Sequence, residues 1–400
     1  MENYQLLRKC FVVGIVILFV EVSCIPMLKS EISQPQLHSE TNEDFTGSQT
    51  LIRVDDEGDG DYRSITEAVN HSSAGDIIEV YSGTYYEHNI TLTQQGLTLK
   101  GIPYELGSGN DSGKPRIHRE EFSHSNGWIN DSEPASNVTI TGFYLQDEGP
   151  YTNFIILIGG PGALVSENVI ISTSSTGAIG IYFRSYAKIF NNTIINTSWA
   201  IVDSSIGDYN KIYGNVIHDC WRGIALQSPN TTISENTIYN CNIGINDLAN
   251  SDQVIERNCI YNCEIGLRFW GDNFVIERNR ISNCSEYGIQ CIASNTIITY
   301  NLLEHNAIGI YASAPTQPFT IEKNNFIHNN IHTIFFVIIT SPGSLQYREN
   351  YWEKQHFLPK CILGLITSGT SEDLPGIPWL ILPFIKIDWN PATEPYDISG

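Results

Sequence analysis

Val254-Ile255-Glu256-Arg257-Asn258 returns 21 residues later as Val275-Ile276-Glu277-Arg278-Asn279. Working outward from this pair, an Asn recurs in the same frame at positions 168, 192, 215, 236, 258, 279, 301, 325 and 350, a spacing of 21 to 25 residues. The central members have an aliphatic residue three positions earlier (Ile212, Ile233, Ile255, Ile276, Ile298). A second follows two positions later (Ile217, Ile238, Ile260, Ile281, Leu303). Eight to twelve residues beyond the Asn comes a small residue before an aliphatic one: Gly180-Ile181, Gly223-Ile224, Gly244-Ile245, Gly266-Leu267, Gly288-Ile289 and Gly309-Ile310. A fixed period of this length is the mark of stacked supersecondary units, and each unit has room for about three short strands.

Such units are too short for the crossover helix that parallel neighbours usually need, yet the same residues recur in register. A coil whose strands pair with the coils above and below satisfies both conditions. The leucine-rich consensus of other short repeats is absent, and a propeller blade would need about 40 residues. Composition agrees: 56 Ile and 35 Asn in 400 residues favour short strands and tight corners. With 41% hydrophobic and only 16% charged residues the chain is too apolar for disorder. Its formal charge of −22, from 22 Lys+Arg against 44 Asp+Glu, disfavours a nucleic-acid partner.

These residues resemble the right-handed parallel β-helix repeat proteins of the pectin-lyase-like superfamily, in particular the exported NosD-type proteins. The opening, Val54-Asp55-Asp56 through Gly58-Asp59-Gly60-Asp61-Tyr62-Arg63-Ser64-Ile65 to Ala68, then Gly75-Asp76 and Gly83-Thr84-Tyr85-Tyr86-Glu87, is similar to a segment shared with pectinesterases. The resemblance implies an all-β fold, a single-stranded right-handed parallel β-helix over 51–350. It also implies a short capping helix near the start, and the aperiodic 351–400 reads as an irregular C-terminal cap. Ser64 is the expected N-cap, with Glu67 completing a capping box. At least nine coils are expected between Ile77 and Asn350. Ile377-Pro378-Trp379 and Asp388-Trp389-Asn390-Pro391 are expected to lay aromatics over the last coil, since an open parallel edge recruits other chains.

At the other end, Arg8 and Lys9 precede an apolar run from Phe11 to Val20, the layout of a secretory signal. Residues 1–28 read as a signal peptide or N-terminal anchor and 29–50 as a linker. The expected location is secreted, cell-surface or periplasmic, with membrane contact only through that segment.

The Asn series is expected to form an internal ladder that serves stability rather than chemistry. Cys220, Cys241, Cys263 and Cys284 each stand five residues after a ladder Asn, and Thr197, Asn306 and Asn330 fill the same slot elsewhere. They read as small buried fillers, soft-metal binding being the alternative. His118, Glu120, Glu121 and His124 match no metal cage, so neither metal nor cofactor is expected. After each Gly-aliphatic pair, alternation places Tyr182, Arg184, Asn246, Arg268, Trp270, Gln290 and Tyr311 outward on one sheet. Stacked rings cover sugar faces and a guanidinium forks a carboxylate, so this set suits an acidic polysaccharide or cell-surface glycan. Asp203 and Asp247 occupy the adjacent inward position two coils apart. Turned outward by a bend they would form a carboxylate pair for acid/base work; otherwise they are buried.

The catalytic sets of pectinesterases, pectate lyases and polygalacturonases have no counterparts here. The reading is a surface β-helix protein that binds polysaccharide or serves as a scaffold. The alternatives are a lyase, hydrolase or epimerase acting on acidic glycans, and a NosD-like accessory in copper delivery.

Overall fold

The computed structural model describes residues 49–400 except 88, 119–127, 132–134, 148–153, 174–176, 185, 205–206, 248–251, 315–317, 339–344, 354–359, 368–380 and 399–400. Each coil gives one short strand to each of three sheets, here called A, B and C in the order the chain visits them. A and C have 13 strands and B has 11. In the coil that starts the quoted repeat the strands are Val254–Glu256, Cys259–Tyr261 and Ile265–Asp272. The two pentapeptides lie directly over one another: Val254 pairs with Val275, Ile255 with Ile276 and Glu256 with Glu277, all in parallel. One repeat is therefore one coil. Ile212, Ile233, Ile255, Ile276 and Ile298 stack inward at 1% exposure or less, as do Ile217, Ile238, Ile260, Ile281 and Leu303. Each coil buries its apolar residues only against its neighbours, as in any solenoid.

The corner between A and B explains the Asn. The residue before it is left-handed although it carries a side chain: φ is 57° at Glu235, 53° at Arg257, 55° at Arg278 and 54° at Tyr300. That conformation costs roughly 1–2 kcal/mol in a non-glycine residue, and the following amide offsets it. Asn236 Nδ2 donates to Ile212 O (2.9 Å), Ser234 O (3.0 Å) and Asn258 Oδ1 (3.0 Å), and the Asn236 N–H donates to the same Asn258 Oδ1 (3.0 Å). Amides joined in this way run from Asn168 through 192, 215, 236, 258, 279 and 301. The next member is Asn324, not Asn325: Asn301 Nδ2 donates to Asn324 Oδ1 (3.0 Å), and Lys323 has the left-handed φ of 55°. Asn325 begins a strand of sheet B and holds the tail, accepting from the Tyr396 N–H and donating to its carbonyl. The one-residue correction carries to the next corner, where Asn329 replaces Asn330 below Asn306. Beyond Asn350 the column ends on Asp388, which accepts from Glu349 N, Asn350 N, Asn350 Nδ2 and Trp352 Nε1 at 3.0 to 3.2 Å.

The first coil is capped by the helix Ile65–His71, with Ser64 Oγ accepting from the Glu67 N–H. The carboxylate that completes this cap is Glu87, not Glu67. It accepts from the Ile65 and Thr66 N–H groups at 2.7 Å and from both flanking hydroxyls. A carboxylate here meets the helix's unsatisfied donors. At the far end Lys360–Thr367 continues sheet C in parallel, and Ile381–Asp388 then pairs antiparallel to it. The aromatic over the last coil is Trp352, 2% exposed and stacked on Phe326 at 4.6 Å. Trp389 is 73% exposed. Ile377-Pro378-Trp379, the signal segment, the linker up to residue 48, and Glu120, Glu121 and His124 lie outside the described residues. Among the described residues no helix is long and apolar enough to cross a membrane.

Candidate functional site

The outer face of sheet C carries the side chains singled out for ligand contact. Register aligns Tyr182, Val202, Ala225, Asn246, Arg268, Gln290 and Tyr311 in one column. At about 4.8 Å per coil it spans roughly 29 Å, but it is not uniformly open. Val202, Ala225 and Asn246 are at most 2% exposed, so the middle of the expected track is closed. Asn246 is a correction in kind: alternation points it outward, yet it is completely buried, and neither amide atom has a hydrogen-bond partner among the described residues.

The accessible part lies beside it. Arg268 Nε donates to Gln290 Oε1 at 2.8 Å, which fixes the guanidinium across two coils. Trp270, the next outward residue of the same strand, is 41% exposed and stands about 6–7 Å along it. Tyr311 packs against Tyr287 and Phe336, each at 5.4 Å, and burial pushes its hydroxyl above the usual range. Tyr182, with Phe154 at 5.1 Å, lies across the closed stretch. Arg184 follows it, half-buried, just past the strand end.

Arg222 and Trp199 belong to this site although the sequence reading passed over them. They are register partners in adjacent strands of sheet C, and the Arg222 guanidinium lies 4.7 Å over the Trp199 ring. Partial burial, and then the charge of Arg268, lower the Arg222 pKa. Its Nε has no hydrogen-bond partner among the described residues. Among the described residues neither Arg222 nor Arg268 forms an ion pair with a carboxylate. In a chain of net charge −22, these two guanidiniums therefore stand without the carboxylate partner that such a group commonly takes. The signal available in sequence was the residue just before each small-aliphatic pair, a position that Ile179, Ile243, Ile265, Tyr287 and Ile308 fill in other coils but Trp199 and Arg222 fill in two.

Asp203 and Asp247 remain inside, each 0% exposed. Asp203 accepts from the Gln227 N–H, the Ser228 N–H and Ser228 Oγ, tying one coil to the turn of the next. Burial outweighs these bonds and raises its pKa to about 7. No bend turns the pair out, because both residues follow the inward alternation of the strand. Cys220, Cys241, Cys263 and Cys284 are free thiols at most 4% exposed. Cys220, Cys241 and Cys263 each reach the carbonyl two residues back at 3.2 to 3.5 Å, and burial raises the Cys284 thiol.

Coils, corners and this flanking face define a right-handed parallel β-helix protein with the pectin-lyase-like fold. The profile of the right handed beta helix region matches residues 178–326 and 248–356. No curated protein matches the sequence significantly. Among solved structures, the complex of XylC with xylose is similar at a TM-score of 0.51 and 12% identity, over 75% of this chain and 84% of that one. The catalytic unit of a thermostable GH87 alpha-1,3-glucanase from Streptomyces thermodiastaticus strain HF3-3 gives 0.49 and 14%, over 70% and 63%. A hyperthermoactive exopolygalacturonase from Thermotoga maritima gives 0.46 and 12%, over 82% and 90%. At these identities the likeness is one of fold.

Proposed function

We propose that this β-helix protein binds an acidic glycan on the outer face of sheet C, around Arg222, Arg268, Trp270 and Gln290, and that it does so as an exported or surface-held protein. The observation that carries the reading is the pair of guanidiniums without carboxylate partners, set between Trp199 and Trp270. A uronate offers what they lack, a planar anion to fork and a ring face to stack. The reading rests on these side chains and not on the fold shared with XylC. An enzyme acting on the same glycans is the second reading. Asp203, held near a pKa of 7 in the strand beneath this face, is the group that favours it, but its oxygens are engaged with Gln227 and Ser228. For a NosD-like role in copper delivery, the stacked thiols Cys220, Cys241, Cys263 and Cys284 are enclosed by the core.

The test is a panel of uronate-containing and neutral oligosaccharides, read for binding and for release of products. Saturable uronate binding without products, weakened at least tenfold by Arg268→Ala, supports the proposal. Products favour the second reading. Equal affinity for neutral and acidic oligosaccharides, or none for either, removes the anion site.

A further inference from the structure

The opening of the β-helix contains a second cluster that no glycan accounts for. Asp55, Asp56 and Glu57 lie on the turn that leaves the first strand. Glu105 and Asp111 lie on a loop about fifty residues later. One carboxylate oxygen from each of Asp55, Asp56 and Glu57 lies within 4.8 Å of the others, and the same holds for Glu57, Glu105 and Asp111, so Glu57 belongs to both sets. The loops are already held face to face, since Asp59 Oδ2 accepts from the Ser108 N–H at 2.9 Å and from its hydroxyl at 3.3 Å.

Proximity of acids alone would mean little. What distinguishes this cluster is Asp55, whose side chain is completely buried while only half of it is satisfied. Its Oδ2 accepts from the Gly58 and Asp59 N–H groups at 3.0 and 2.9 Å, and its Oδ1 has no hydrogen-bond partner among the described residues. Asp56 repeats the pattern, with Oδ2 on the Thr84 N–H at 2.9 Å and a buried Oδ1 without a partner. The groups these carboxylates do meet are other carboxyls: Glu105 contacts Asp55 and Glu57 contacts Asp56. No Lys, Arg or His among the described residues stands within ion-pairing distance of any of the five. A buried acceptor without a donor is costly, and carboxyls in contact must share a proton or a cation.

We infer that Asp55, Asp56, Glu57, Glu105 and Asp111 bind a hard divalent cation of the calcium class, which joins the first turn of the β-helix to the loop that follows Thr98–Gly101, the third strand of sheet A. The spacing is compatible, since oxygens no more than 4.8 Å apart lie within reach of one ion that coordinates at roughly 2.4 Å. All donors are oxygen, mostly anionic, and come from two backbone segments, which suits the larger and more flexible coordination of calcium over octahedral magnesium. The ion's place in the molecule is structural, at the end opposite the Asp388 cap and remote in sequence from the glycan face.

The experiment is calorimetric titration of the chelator-treated full chain with CaCl2 and separately with MgCl2, alongside thermal melts at matched ionic strength. One calcium per chain is expected, with a Kd on the order of 0.1–1 mM as in extracellular modules, and with a saturable rise in Tm. In the double variant Glu57→Gln/Glu105→Gln the calcium Kd should weaken at least tenfold. Its Tm without calcium should equal or exceed that of the native chain, because carboxyl contacts have been relieved. That second readout separates loss of a ligand set from loss of folding. Absence of calcium binding and of any Tm response in the native chain overturns the inference, as does an undiminished response in the double variant.

Discussion

Replacing Asn258 by Ala tests whether the corner amides, and not only the apolar stack, hold the coils together. The substitution removes Oδ1, which accepts from the Asn236 N–H and Nδ2 (both 3.0 Å). It also removes Nδ2, which donates to Ile233 O, Glu256 O and Asn279 Oδ1 (all 2.9 Å). Asn236 Nδ2 keeps Ile212 O and Ser234 O, and Asn279 Oδ1 keeps the Asn258 N–H, so those groups are not orphaned. The Asn236 N–H and the Ile233 carbonyl each lose this buried partner. Ile233 stays in the parallel ladder with Val254–Glu256, so one orphaned group, the Asn236 N–H, sets the loss at about 1–3 kcal/mol. Urea denaturation followed by far-UV circular dichroism reads it as a lowered midpoint with unchanged slope. The control is Asn262→Gly, an exposed corner Asn at φ 55°, which removes an amide without a left-handed penalty and should stay within about 0.5 kcal/mol. A loss below about 1 kcal/mol for Asn258→Ala, or an equal loss in the control, would refute the reasoning.

Three further outcomes are expected. Ile255→Ala should cost about 2–5 kcal/mol by opening a cavity, whereas Glu256→Ala in the same strand should stay within about 0.5 kcal/mol; equal denaturation midpoints would show that the inward phase is wrong. Trp270→Ala should weaken uronate binding by about 1–3 kcal/mol and leave the melting temperature nearly unchanged, so a collapse in melting temperature would make Trp270 a packing residue. Asp203, with its folded pKa raised from 3.8 to about 7, binds its proton more tightly when folded. Its contribution is complete below about pH 4 and lost as pH rises through 7, on the order of 4 kcal/mol in all. Asp203→Asn should therefore flatten the fall in stability between about pH 4 and 7, and an unchanged slope would contradict the assignment.

The coil was legible because its period is short and its frame is marked by both an amide and two aliphatics. That frame also contained the correction at Asn324. Ile321 lies three residues before Asn324 and Phe326 two after, whereas the same offsets from Asn325 fall on Glu322 and Ile327. The polar contacts that close each end were not legible. Glu87 reaches a helix more than twenty residues earlier, and Asp388 reaches Asn350 across 38 residues; no local pattern encodes such a partner. The candidate face was read from the alternate positions after each Gly-aliphatic pair, which found Arg268, Trp270 and Gln290 and missed Arg222 and Trp199 just before such a small-aliphatic pair. Alternation gives direction but not depth, so it could not foresee that Asn246 faces outward and is nevertheless buried.

The amide column also has a direction. Every member donates its Nδ2 to the amide oxygen of the next coil, from Asn168 onward to Asn350, and the last donates to a carboxylate. The row of aligned dipoles therefore points its donors toward one end, and the anion of Asp388 sits where they converge, much as acids favour the start of an α-helix. Interior coils donate to one neighbour and accept from the other, so any of them can be removed or duplicated without leaving an amide unmatched. Val254-Ile255-Glu256-Arg257-Asn258 and its copy 21 residues on are interchangeable at their ends. Unequal crossing-over between the two would add or delete one whole coil, and the new chain would have its hydrogen bonds complete from the start. Length in such a protein is inherited one coil at a time, and the sequence that limits it is the tail carrying Asp388, which works at one end only.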